Sequence, residues 1–320
     1  MGKLLITGGA GFIGSTLAKR LAPTHDIIVV DDLSMGQTAN LAGVPNIEFY
    51  EESVLNEAFM TKLFRSEQFD YIFHLAAIAS VADSVARPVA THRVNFDSTL
   101  LILELIKTYQ PALKRIVFSS SAAVYGDDPT LPKDEQAPIK PLSPYAVDKF
   151  ASETYLLNAY ALYGVRASAA RFFNVYGINQ NPSSPYSGVI SIMMSKYLEQ
   201  LAGETTRFTF FGEGHQTRDF VFVEDVCRAL LLIAESEEAL GQVYNIGNGV
   251  ETSLLTLKAE LDDLFGLTLP THHAAAREGD IERSVATITK LKSLGYEPHY
   301  TFKEGLRIYI EHERKQLQEK

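Results

Sequence analysis

The stretch "ITGGAGFIGSTLAKRLA", residues 6–22, constrains this chain more than any other. It follows a short apolar run, carries Gly9, Gly11 and Gly14 in the spacing Gly-x-Gly-x-x-Gly, and opens a segment with helical periodicity. A strand that turns through glycines directly into a helix lets the backbone approach a pyrophosphate, whose charge the helix amino terminus stabilises. A glycine turn by itself also occurs without a ligand. Here a second strand-like run, "IIVVDD", ends in acid at Asp31, about 20 residues after Gly11, where a carboxylate can accept hydrogen bonds from the adenosine ribose hydroxyls. Asp31 and Asp32 repel a 2′-phosphate, and no Arg or Lys follows before Lys62, so the expected dinucleotide is NAD rather than NADP.

The same alternation continues along the chain. The runs "LLIT", "DIIVV", "IEFY", "DYIFHL", "RIVFSS", "VRASAARFF" and "VYNIG" are separated by longer helical stretches. Strand alternating with helix predicts an α/β fold: a Rossmann-type doubly wound parallel sheet, with ligands at the carboxyl ends of the strands. The alternation fails between about 175 and 219 and again after about 248. The expected organisation is therefore a dinucleotide-binding domain over 1–174 and 220–247, with a smaller α/β substrate-binding lobe from 175–219 and 248–320. With 320 residues, 46% of them hydrophobic, the chain can bury a large core.

Several function classes are disfavoured. A net charge of −10 works against a polyanion-binding surface, so no nucleic-acid partner is expected. The single Cys227 lies in the helix-like "VEDVCRALLLIAE", where a buried small side chain outweighs a nucleophile or metal ligand, and no metal is expected. The run "KLLITGG" begins at residue 3, leaving no room for a signal peptide, and no apolar run approaches the ~20 residues that span a bilayer; the expected place is the cytoplasm. In "NFDSTLLILELIKTY", 95–109, apolar residues lie on more than one helical face. Packing on the sheet accounts for one face, and the other suggests contact with a second subunit, hence a homodimer.

With a nicotinamide expected nearby, "SPYAVDK", 143–149, gains meaning. Ser143 can cap a helix whose first residue is Pro144, so Tyr145 and Lys149 stand one turn apart on one face. An unperturbed tyrosine has a pKa near 10, and an adjacent ammonium together with the nicotinamide cation favours the phenolate. Ser121, in "FSSSAAVYG" at the end of the fifth strand, can hydrogen-bond the same substrate oxygen and pass its proton to Tyr145.

These residues resemble the extended short-chain dehydrogenases/reductases, and among them the nucleotide-sugar 4-epimerases. The resemblance runs through "TGGAGFIG", "FHLAA", "NFDST", "FSSSAAVYG", "PYAVDK", "RFFNVYG", "TRDFVFVEDV" and "REGDIERS", in that order. It implies Tyr145 as base, Lys149 as its partner and nicotinamide-ribose anchor, and Ser121 as the third catalytic member. For the cofactor it implies Gly8, Gly11, Phe12, Ile13 and Gly14 at the turn. Asp31, Asp32, Ser53 and Val54 fall at its adenosine end, and Leu75, Ala76 and Ala77 on the strand end, where His74 also falls. Asn95 would support the catalytic helix, and Ser119 would complete the cofactor contacts. For the substrate it implies Asn174, Arg218 and Arg277 around the diphosphate, Phe211 against uracil, Ser284 at the sugar, and Val189 as a further contact. One departure is Ser53, where the family commonly has an Asp that contacts the adenine amine; weaker adenine recognition is expected, without loss of NAD.

Related dehydratases place Asp and Glu where this chain has Ala122 and Ala123. Methyl groups transfer no protons, so dehydration is disfavoured, as are related decarboxylases that keep the Glu. The resemblance then implies oxidation and reduction at one carbon, with UDP-Glc/UDP-Gal interconverted through a transient 4-keto sugar. A bulky family residue closes the sugar pocket at the position of Ser284; serine is small, so UDP-GlcNAc/UDP-GalNAc are expected as well. Two alternatives stay open: a nucleotide-sugar dehydrogenase or reductase that releases NAD(P)H each turn, and an NAD-binding regulator without chemistry.

Overall fold

The computed structural model describes residues 2–180, 188–276 and 281–318. Its centre is a seven-stranded sheet of β1 (Gly2–Thr7), β2 (His25–Asp31), β3 (Ile47–Glu51), β4 (Tyr71–His74), β5 (Arg115–Ser121), β6 (Ala167–Phe172) and β10 (Val243–Ile246). The spatial order is β10-β6-β5-β4-β1-β2-β3, and every pairing is parallel. These are the seven runs that the sequence marks as strands. The order reverses between β1 and β4, which opens a crevice at the carboxyl ends of those two strands.

Both faces of the sheet are covered, which explains why its strands read as continuous apolar runs. On one face Leu4, Ile6, Val29 and Phe73 pack with Leu17 of the helix Phe12–Leu21 and Val226 and Leu230 of the helix Val223–Glu235. On the other, Leu5, Ile28, Ile72, Ile116 and Phe118 meet the helices Glu57–Ser66, Ser98–Tyr109 and Pro144–Tyr163. Cys227 is wholly buried in the first layer, where burial pushes its thiol pKa well up and leaves it a packing residue.

The chain leaves the large sheet within "RFFNVYG". β6 stops at Phe172, and β7 (Asn174–Tyr176) joins a three-stranded sheet, running parallel to β9 (Thr217–Phe222), which pairs antiparallel with β11 (Glu251–Ser253). A parallel pair of β8 (Phe208–Phe211) and β12 (Thr271–Ala274) stands beside it.

The uniform helix expected over 95–109 is interrupted. Arg93–Asp97 form one wide π turn, and regular α-helix begins at Ser98. The wide turn carries Asn95 inward to the loop after β4, a role discussed below. Along the helix itself Leu103 and Leu105 are buried, because it lies between the helices Glu57–Ser66 and Pro144–Tyr163. The exposed apolar side chains sit instead on its neighbours: Val85, Val89, Val147, Tyr155 and Leu162. Among the described residues, no helix is long and apolar enough to cross a membrane.

Candidate active site at the carboxyl edge of the sheet

The glycine turn is compressed in a way that only glycine permits. Gly8 has φ +71°, and a Cβ on it would stand 2.7 Å from the Ala76 nitrogen. A Cβ on Gly14 would stand 2.3 Å from the Gly8 carbonyl oxygen. Gly11 caps the helix that begins at Phe12, so the N–H groups of Phe12 and Ile13 belong to the first turn, which lacks intrahelical acceptors. Beside this turn, Asp31 ends β2 and is almost buried, accepting from the N–H of Ala10 at 3.0 Å and of Leu33 at 2.9 Å. Burial raises the pKa of its carboxyl, and the two backbone donors pull the other way. Asp32 is exposed and accepts from the N–H of Ser34. Ser53 accepts from the N–H of Leu55, and Val54 is buried against the sheet. A close-approach backbone, a helix amino terminus and a carboxylate one strand away fit a dinucleotide.

The candidate catalytic side chains come from β5 and the helix Pro144–Tyr163. Ser143 accepts from the N–H of Ala146 at 3.2 Å, and Pro144 takes the first helical position, so the helix starts where its sequence says it should. The Tyr145 hydroxyl neighbours Ser121, whose Oγ accepts from the N–H of Ala123 at 3.2 Å. Lys149 is buried, with Nζ donating to the Ser119 carbonyl oxygen at 2.7 Å and standing 4.8 Å from the centre of the Phe118 ring. Burial raises the Tyr145 pKa, with the Ser121 hydroxyl opposing it, and draws Lys149 down to about 7. Without a ligand, burial thus favours the neutral phenol over the phenolate expected from sequence. An added positive charge is needed to reverse that balance.

Two neighbours hold this arrangement. Asn95 accepts from the N–H of Ile78 at 2.8 Å and donates to its carbonyl at 3.0 Å, while its own carbonyl accepts from Ser152 of the catalytic helix at 2.9 Å. It thereby ties the loop after β4, at Ile78, to that helix. His74 is buried between Thr7 of β1 (2.7 Å) and Thr99 of the helix Ser98–Tyr109 (3.2 Å), and burial, helped by the Lys149 charge, lowers its pKa to about 3; it is a neutral link between strand and helix.

The substrate-side residues are spread over the smaller sheets. Asn174 begins β7 opposite Phe220, two residues along β9 from Arg218. Arg218 donates to the carbonyls of Thr217 at 2.8 Å and Ile281 at 2.6 Å. Phe211 ends β8 opposite Ala274 of β12. Val189 opens the helix Val189–Leu201, and Ser284 is half-buried just ahead of Val285 and Ala286. Arg277 lies outside the described residues.

Sequence reasoning missed two groups. Asp219 accepts from the N–H of Asn248 (2.6 Å), Gly249 (2.9 Å) and Ala286 (3.0 Å), so it fixes the segment carrying Ser284, and burial pushes its pKa up to about 6. Glu153 and Arg171 form a buried ion pair at 2.6 Å behind the strand end. The only available signal was spacing: Glu153 stands one helical turn past Lys149, on the same face.

A doubly wound sheet with this cradle and a Tyr-Lys-Ser group at its carboxyl edge defines an NAD-binding enzyme of the extended short-chain dehydrogenase/reductase class. The chain belongs to the NAD dependent epimerase/dehydratase family, whose model matches residues 4–247, and NAD is its cofactor. It is 36% identical to a UDP-glucose 4-epimerase from Mycolicibacterium smegmatis over 321 residues, covering 99% of this chain and 100% of that protein. Among solved structures it is similar to UDP-glucose 4-epimerase with UDP-glucose from Thermotoga maritima, with a TM-score of 0.91, 37% identity, and coverage of 98% of this chain and 99% of that one. It is likewise similar to the UDP-N-acetylglucosamine 4-epimerase from Methanobrevibacter ruminantium M1 in complex with UDP-N-acetylmuramic acid, with a TM-score of 0.91, 34% identity, and coverage of 98% and 99%.

Proposed function

We propose that the chain is a UDP-sugar 4-epimerase acting on UDP-Glc/UDP-Gal and on the N-acetylated pair UDP-GlcNAc/UDP-GalNAc. The observation that carries this reading is the grouping of Tyr145 and Ser121 beside buried Lys149, whose Nζ is held by the Ser119 carbonyl, next to a turn that continues with Ala122 and Ala123. That group handles one proton at one carbon and offers no acid or base at the neighbouring carbons, as dehydration requires. Bound NAD supplies a hydride acceptor and donor at C4, and its positive ring favours the phenolate. Tyr145 accepts the 4-hydroxyl proton directly or through Ser121, and returns it once the 4-keto sugar has presented its other face. Lys149 fixes the ribose side of the site and supplies charge to the phenol. Asn174, Arg218 and Arg277 hold the diphosphate through the turn of the sugar, since arginine matches phosphate oxygens in pairs. Phe211 packs on the uracil, and Ser284 leaves room for an N-acetyl group. The names of the relatives support both substrate pairs, each for its own protein.

The reading includes a two-lobed chain, with 1–174 and 220–247 binding NAD and 175–219 and 248–320 binding the nucleotide sugar. It also includes a homodimer. Val147, Tyr155 and Leu162 form one stripe along the catalytic helix, and Val85 and Val89 extend it on the adjoining helices, all about half exposed or more. Such a contiguous apolar face suits a second copy.

The test is incubation of purified protein with UDP-Glc and with UDP-GlcNAc, without added cofactor, and product identification by NMR. The galacto epimers are expected with no net absorbance change at 340 nm. Stoichiometric NADH formation, or no epimer from NAD-loaded protein, overturns the reading.

A further inference from the structure

On the face of the sheet covered by the catalytic helix, three neighbouring strands present Ser120, Arg171 and Asn245 side by side; their register pairs Ser120 with Arg171 and Arg171 with Asn245. Glu153 reaches down from the helix to this row. Its Oε2 accepts from Ser120 Oγ at 2.6 Å and from Arg171 Nε at 3.0 Å, and its Oε1 accepts from the Arg171 terminal nitrogen at 2.6 Å. The remaining Arg171 nitrogen donates to the Tyr125 hydroxyl at 2.9 Å and the Glu135 carbonyl at 3.1 Å, and the Tyr125 hydroxyl donates to Asn245 Oδ1 at 2.6 Å. All five side chains are buried, and none of them has an unpartnered polar atom.

Stability alone is a poor reason for such a layer, because desolvating an ion pair costs about as much as the pair returns, and apolar residues of similar size often serve as well. Position is a better one. Ser120 lies between Ser119, whose carbonyl holds Lys149, and Ser121, which meets Tyr145. Glu153 lies one turn beyond Lys149 on the helix that carries both Tyr145 and Lys149. The strand end and the catalytic helix are therefore joined directly behind the reacting groups.

We propose that Glu153, Arg171 and Ser120 are positioning residues that set the distance between the Ser121 strand end and the Tyr145–Lys149 helix. This rests on the epimerase reading for its consequence in turnover, but not for its geometry. Misplacement of reacting groups by about 1 Å can cost 10²-fold. Ser120→Ala removes the link and leaves the ion pair in place. It should lower kcat at least about ten-fold, leave the UDP-sugar KM and the NAD content unchanged, and move the pH dependence of kcat, with Ser120→Thr restoring part of the loss. The pair Glu153→Leu with Arg171→Met should fold and show the same split between kcat and KM. In parallel, Tyr145 is titrated by ¹³C NMR in labelled protein against a Tyr145→Phe blank, with and without NAD. A shifted titration in Ser120→Ala supports the proposal even if wild-type protein turns over no UDP-sugar, an outcome that would sink the epimerase reading alone. Wild-type kcat, pH profile and Tyr145 titration in Ser120→Ala overturn the proposal, whatever happens to the melting temperature.

Discussion

Lys149 Nζ donates to the carbonyl oxygen of Ser119 at 2.7 Å, across the gap between the catalytic helix and the fifth strand. The amine is buried, and burial brings its pKa from the ordinary lysine range down to about 7. A folded pKa below the unfolded one means that stability is lost as pH falls from the unfolded value towards about 7, because charging the folded amine is costly. NAD-stripped Lys149→Met should therefore melt a few degrees above wild type at pH 7, and the gap should close as pH rises towards 10. Paired thermal melts at the two pH values check this; a gap independent of pH removes the buried charge as its cause. Activity should be lost at both.

In the proposed mechanism Tyr145 carries the proton chemistry and contributes little to substrate affinity. Tyr145→Phe should lower kcat by about 10² to 10⁴-fold while calorimetry shows UDP-sugar binding within a few-fold of wild type. A variant with near-normal turnover would remove Tyr145 from the mechanism.

Asp31 is proposed to discriminate between dinucleotides as well as to bind one. Asp31→Ala should weaken NAD(H) by roughly 10 to 100-fold, the worth of hydrogen bonds to a charged acceptor. In wild type, fluorescence titration should show NAD(H) binding far more tightly than NADP(H). Equal affinities would mean that the carboxylate does not meet the ribose.

Ser284 is proposed to set sugar size. Ser284→Tyr should depress kcat/KM for UDP-GlcNAc and UDP-GalNAc by at least about ten-fold and largely spare UDP-Glc and UDP-Gal. If neither pair is affected, the gate lies elsewhere.

The stripe of Val89, Val147 and Leu162 should hold two copies together. Leu162→Glu places a charge at its most exposed member, 69% accessible in the single chain. Sedimentation should show a dimer for wild type and a monomer for the variant, with NAD binding unchanged. A wild-type monomer at micromolar concentration would refute the dimer.

Local physics made much of this protein legible in its sequence. Seven apolar runs, most of them separated by helices, determine a covered parallel sheet. Gly8 and Gly14 demand a turn that no side chain tolerates, and Ser143-Pro144 begins a helix that puts Tyr145 and Lys149 on one face. Each depends on residues within one or two turns of one another, so spacing reveals it. Tertiary structure decided the rest. Asn95 became a bridge only because a π turn faces it to Ile78, and Asp219 gathers N–H groups from residues 29, 30 and 67 positions away. The directions in which burial moves Tyr145 and Lys149 were likewise hidden, because desolvation depends on what packs around a group. The Glu153–Arg171 layer exists only where a helix crosses three strands, and a sequence carries no local mark of which distant atoms a fold will bring within 3 Å.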